Sequence, residues 1–154
     1  MGNWRCLLII LAVMAAGSAV WGQMALPVHD VAVSVDLQPR EVIVGSFAGP
    51  LVTVTNLGTQ PEWIRLTNTV IKDGEPVWSA IRFVPVGVAG PNCPVCGQNQ
   101  DLLMIATAPN WLGPCILQMG ADIVVSPSTP LSILDGDPSD NFAQVVFVVV
   151  PPPL

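Results

Sequence analysis

Residues 30–37 read DVAVSVDL. Val31, Val33, Val35 and Leu37 stand at every second position, so an extended chain carries all four on one side. A period of two marks a strand with one buried face. The pattern recurs down the chain. LVTVTNLGTQ (51–60) sets Val52 and Val54 against Thr53 and Thr55 and runs into an Asn-Leu-Gly turn. WIRLTNTVI (63–71) leads to KDGE (72–75), where Asp73-Gly74 is a strong hairpin signal because glycine takes positive φ readily. VWSAIRFV (77–84) is the return strand. DLLMIAT (101–107) and CILQMGADIVV (115–125) follow, the latter with Cys115, Leu117, Met119 and Ala121 facing one way. FAQVVFVVV (142–150) closes the series, and Pro151–Pro153 stop it because proline cannot donate to a ladder. Pro39 and Gly45 bracket a short edge segment, EVIVG. About seven strands at this spacing, with no helix longer than a turn or two after the leader, predict an all-β, immunoglobulin-like antiparallel β-sandwich.

The first 22 residues are a separate object. Arg5 is followed by an apolar run from Cys6 to Ala16 and then by small residues, the order of a secretory signal peptide, which would form a helix during export. The run is short against the roughly 20 apolar residues of a membrane span. Cleavage after Gly22 or Ala19 is expected, an uncleaved N-terminal anchor being the alternative. The predicted organisation is thus a signal peptide (1–22), a linker (23–29), one sandwich domain (30–150) and a tail (151–154). Loss of the leader removes Arg5 and no acid, leaving four basic against eleven acidic residues. Such a balance, without any basic run, excludes the electrostatic footprint of a nucleic-acid binder or of a protein held on anionic lipid. The chain is expected to be exported: secreted, periplasmic or at the cell surface.

Several segments, in order, resemble the bacterial cell-adhesion-related domain called CARDB. DVAVSV is similar to its first strand, and LVTVTNLGTQP to a second strand entering an Asn-x-Gly-Thr turn. Asp73-Gly74 falls where that family places a hairpin. PNWLGPCILQMGAD resembles the segment that ends one strand and turns through glycine into the next. DGDPSDNFAQVVFVV looks like the acidic turn before the final strand. The likeness covers about residues 30–150. The chain departs from it at Cys115, where such domains often carry tyrosine, in an acidic turn without the usual glutamates, and in the two-cysteine loop at 85–100. The resemblance implies a non-enzymatic module for protein or surface interaction or adhesion.

Three cysteines remain after leader removal: Cys93, Cys96 and Cys115. Export makes a disulfide the default. A strand of six or seven residues, roughly 20 Å long, separates the C-x-x-C from Cys115, whereas bridged Cα atoms lie within about 7 Å. Cys93–Cys96 is the favoured pair, with Cys115 a buried small hydrophobe, and Cys96–Cys115 is the alternative. A thiol–disulfide oxidoreductase would need a helix N-terminus or a cation beside the thiolate, and a βαβ pattern. GQNQD follows instead, with Arg82 the nearest cation upstream. A zinc site would have to recruit Cys115 and His29 from separate regions.

The acidic turn DGDPSDN places Asp135, Asp137, Asp140 and Asn141 together, hard oxygens suited to calcium, or else a solvated turn whose side chains bond the local backbone. No other metal or cofactor is expected. His29 is the one histidine, at the start of the domain, and no serine sits in a nucleophile-elbow context. The acids are expected on turns and strand ends. Trp63 and Trp78 are expected to face each other across the 72–75 hairpin as an aromatic pair on the core side. Loops 85–100 and 126–141, and strand 142–150 if it lies at an edge, are the expected contact surfaces for an unidentified protein or surface ligand. A structural subunit of a surface fibre or layer, with self-association, and a small periplasmic thiol–disulfide protein are the alternatives.

Overall fold

The computed structural model describes residues 26–154; the leader, its cleavage positions and Cys6 lie outside them. The alternating segments form strands β1 (Val31–Asp36), β2 (Glu41–Ile43), β3 (Phe47–Ala48), β4 (Leu51–Asn56), β5 (Glu62–Lys72), β6 (Glu75–Val86), β7 (Gln98–Leu102), β8 (Ile105–Ala106), β9 (Gly113–Ser126), β10 (Thr129–Ser132) and β11 (Phe142–Val150). One sheet has the order β1-β4-β7. The other runs β2-β11-β9-β5-β6, with β10 added beside β9, and β3 pairs with β8. Short rungs of two to four residues raise the strand count above the expected seven. Sequence periodicity cannot announce a two-residue strand.

The inner faces carry the core. Val31, Val33 and Leu37 are buried from the opening stretch, facing Val52 and Val54 of β4 across the ladder and the larger sheet across the interior. β5 contributes Ile64, Leu66 and Val70; β9 contributes Cys115, Leu117, Met119, Ala121 and Ile123; β11 contributes Val145, Phe147 and Val149. Between Leu37 and Glu41 the chain leaves the small sheet and joins the large one, where β2 pairs parallel with β11. The expected antiparallel sandwich is thus what forms, with this one parallel pair at an edge. Asp73 (φ 52°) and Gly74 (φ 87°) make the β5–β6 hairpin, the left-handed pair that a two-residue turn requires.

Three expectations fail here. Strand 142–150 is no free edge, since β11 lies between β2 and β9. Trp63 and Trp78 are not opposite each other: Trp63 pairs with Pro85, and Trp78 with Val70, because Trp63 lies much farther from the Asp73-Gly74 turn than Trp78 does. The bulge between Val70 and Ile71 shifts the register by one residue and so sets Trp78 on the face of Val70. Trp78 packs on the core while Trp63 faces outward. The cysteine loop is shorter than 85–100, because β6 runs to Val86 and β7 begins at Gln98.

Candidate functional site

At one end of the sandwich the entry to β1 is held between two loops. The 56–60 turn grips one side of it. Leu57 and Gly58 N–H groups donate to the Asp30 carbonyl, and Thr59 N–H donates to the Val28 carbonyl. The turn is itself built around Asn56, a buried side chain whose Nδ2 donates to the carbonyls of Gln60 (2.7 Å) and Gly87 (2.9 Å). Its Oδ1 accepts from Gly58 N–H (2.8 Å). The acidic loop grips the other side: Gly136 N–H donates to the His29 carbonyl (2.7 Å), and Val31 N–H to Asp135 Oδ2 (3.1 Å).

This clamp brings Asp30 against the far end of the chain. One carboxylate oxygen each from Asp30, Asp135 and Asp140 lie within 4.8 Å of one another. Asp30 Oδ1, Asp140 Oδ1 and the Oδ1 of Asn141 are each enclosed without a hydrogen-bond partner. Burial, followed by repulsion from Asp135, Asp140 and Asp137, pushes the Asp30 carboxyl above its ordinary range. Burial also leads for Asp140, with Asp137 and Asp135 adding to the rise. No basic side chain pairs with them among the described residues: Arg65, Lys72 and Arg82 pair with Asp122, Asp73 and Asp101, and Arg40, exposed just before β2, makes no ion pair with the cluster.

Of the four residues marked in the sequence, Asp137 belongs elsewhere. Its carboxylate accepts from the N–H and hydroxyl of Ser139, and those bonds hold its pKa below the usual carboxylate value. Asp30 takes its place in the cluster. Nothing local in the sequence marks that residue, because its partners come from the opposite end of the chain.

His29 and Glu62 form a second feature that sequence reasoning missed. Glu62 is buried, against the expectation that acids sit on solvated turns and strand ends, and its Oε1 lies 2.8 Å from His29 Nδ1. Gln60 Nε2 sits within 3.1 Å of the same ring. The lone histidine is thus engaged with a carboxylate and an amide.

The Cys93 and Cys96 sulfurs are bonded within the 87–97 loop, which contains a short 3-10 turn at Pro94–Gly97. Cys115 is a free, buried thiol, its Sγ donating to the Trp111 carbonyl (3.4 Å). Burial pushes that thiol up, away from the reactive thiolate. Cys93, Cys96, Cys115 and His29 form no common metal site among the described residues. Because the 93–96 bridge closes so short a loop, Cys93→Ser combined with Cys96→Ser should lower stability by no more than about 2 kcal/mol. Equilibrium urea unfolding checks this, and a loss well beyond that value would show that the bridge does more than close its loop.

The two facing sheets, the parallel β2–β11 join and the clamped β1 define an immunoglobulin-like sandwich. Among solved structures, the CARDB domain of a Pyrococcus furiosus protein, in complex with di-metal ions, superposes with a TM-score of 0.57 at 17% identity, over 81% of this chain and 96% of that one. The chain has the CARDB fold. A sporulation control protein from Bacillus subtilis matches at a TM-score of 0.44 and 13% identity, over 78% of this chain and 48% of that one. A β-glucosidase from Listeria innocua, in complex with isofagomine, matches at 0.44 and 13%, over 79% and 16%. No protein-family model and no curated protein matches the sequence.

Proposed function

We propose that the chain is an exported, non-catalytic sandwich module whose acidic end holds a divalent cation, calcium above others, and that serves interaction or adhesion outside the cytosol. The supporting observation is the cluster of Asp30, Asp135 and Asp140, in which Asp30 Oδ1 and Asp140 Oδ1 are enclosed without a hydrogen-bond donor and no basic side chain pairs with the three. Unpartnered buried carboxylate oxygens are costly unless something positive sits among them. Calcium takes six to eight oxygen ligands in flexible geometry and suits carboxylates and amide carbonyls, with water completing the shell. Asp30, Asp135 and Asp140 would hold the ion, Asn141 being a further oxygen donor. The Pyrococcus furiosus CARDB domain, in complex with di-metal ions, is a precedent on the same fold. The ion's contribution here would be to fix the entry of β1 against the acidic loop, and so to present the 126–141 connection in one shape. A leader-like N-terminus and the Cys93–Cys96 bridge support an oxidising compartment, where millimolar calcium is available.

Thermal unfolding with calcium or with chelator tests the reading. Extracellular sites bind calcium in roughly the 0.1–1 mM range, so several millimolar calcium should stabilise by about 1–3 kcal/mol, a rise of roughly 4–10 °C. Asp30→Asn should abolish the rise, and Asp137→Asn should leave it intact. In chelator the sign with pH also follows. Asp30 and Asp140 have raised carboxyl pKa values in the folded state, so folding is opposed where both ionise and favoured as pH falls from neutral toward the unfolded-state value. The wild type should therefore gain stability relative to Asp30→Asn over that descent. An equal calcium response in wild type and Asp30→Asn would remove the site.

A further inference from the structure

An antiparallel sheet with one solvated face is expected to alternate apolar inside and polar outside. The outer face of the large sheet departs from that rule at several rows. On β5, β6, β9 and β11 the outward positions hold Trp63, Ile81, Phe83, Ile116, Phe142 and Val146, and Ile81, Phe142 and Val146 are about half exposed or more. Between them stand Thr67, Thr69, Ser79, Gln118 and Gln144, so the face mixes large apolar side chains with uncharged polar ones, the composition of a contact face between separately folded chains.

Three features decide what covers it. The first is charge. The whole chain carries −6, yet the central rows of this face hold just Arg65 and Asp122, bonded to each other across β5 and β9 at 2.9 Å. A second copy brought against any acid-bearing surface meets repulsion; against this one it meets a neutral field.

The second is shape. Ile81, Thr67, Gly120 and Phe142 lie in one cross-strand row. The space above Gly120 is open, with no atom within 4 Å of where a Cβ would stand, so the neighbouring Phe142 ring does not cover it. A knob and a hole thus sit side by side on adjacent strands. A two-fold axis running along the strands between β9 and β11 would set each copy's Phe142 over the other's Gly120, the self-complementarity that an isologous interface demands.

The third is area. Four strands about 4.8 Å apart and eight residues long at about 3.3 Å each give roughly 500 Å² of projected face. Two copies would bury on the order of 1,000 Å², the lower bound for a specific pair.

We infer that the chain associates with a second copy of itself, face to face across the large sheet, with Phe142 and Gly120 interlocking about the two-fold axis. This does not rest on the cation site, and the experiment is run in chelator so that the two readings fail separately. Sedimentation velocity on the processed chain recovered from the expressing cell, from about 1 to about 300 µM, should show a monomer–dimer equilibrium that stops at two. Phe142→Lys and Ile81→Lys, both at exposed positions, should each weaken the dimer at least about 30-fold with unfolding midpoints near wild type. Gly120→Val, which fills the hole, should weaken it about tenfold while leaving the strand intact. A wild type monomeric throughout, assembly continuing beyond two, or variants that pair as well as wild type would each overturn the inference.

Discussion

Phe147→Ala is expected to cost about 3–5 kcal/mol, a drop of roughly 10–20 °C in the unfolding midpoint, with an unchanged denaturant slope. Phe147 is among the largest wholly enclosed side chains and is 1% exposed. It stands opposite Cys115 on β9, between Val145 and Val149 on the inner face of β11, where β1 closes over it from the small sheet. Truncation leaves a void that strands tied on both edges cannot collapse around. The neighbouring residue supplies the control. Val146 points outward on the same strand, so Val146→Ala should change monomer stability by less than about 0.5 kcal/mol while weakening self-association. Urea unfolding of both variants separates the roles, and a cost below about 1 kcal/mol for Phe147→Ala would mean that the two sheets do not share one close-packed interior.

That contrast shows why the fold was readable and the site was not. In FAQVVFVVV the inward residues at 145, 147 and 149 follow from period two alone, as do those in DVAVSVDL and CILQMGADIVV. The period survives because a strand with a buried face needs a regular apolar side. A one-residue slip would turn every side chain over. The same logic failed at Trp78, where one bulge residue breaks the count and sets the ring on the face of Val70, while Trp63 lies too far from the turn to stand opposite it in either register. It failed again at Asp30 and Glu62. Each reads locally as an acid at the start of a strand. Their meaning comes from partners in other segments, Asp135 and Asp140 for one and His29 for the other, which only chain folding supplies. Asp137 misleads in the opposite sense: it sits in the motif yet is spent on Ser139 two residues on. The outer apolar face was equally hidden, since TVI, FV and IVV runs in the strands read as core until the register assigns their sides.

Asn56→Ala is expected to cost about 3 kcal/mol and to weaken calcium binding at least tenfold, the two losses having one cause. Asn56 is 4% exposed, and its amide satisfies three backbone groups in different segments: the Gln60 carbonyl, the Gly87 carbonyl and the Gly58 N–H. Alanine leaves all three to be solvated or left unpaired at the end of a closed sandwich, at roughly 1 kcal/mol or more each. The turn shaped by those bonds is the one whose Leu57 and Gly58 N–H groups fix the Asp30 carbonyl. The turn also packs closely on the β1 entry at Gly58, where a Cβ would stand 2.3 Å from the Val28 carbonyl oxygen. A loosened turn therefore releases Asp30 from the cluster. Asn56→Asp sharpens the test. It keeps the acceptor for Gly58 but turns a carboxylate toward two carbonyl oxygens, and it should be at least as damaging as alanine. Thr59→Ala removes a single exposed bond, Val28 N–H to Thr59 Oγ1, and should cost under about 1 kcal/mol with calcium binding retained. Calorimetric titration beside thermal unfolding reads both quantities on each variant. If Asn56→Ala lost stability while calcium affinity stayed unchanged, the turn would be a structural corner alone, and Asp30 would hold its place without it.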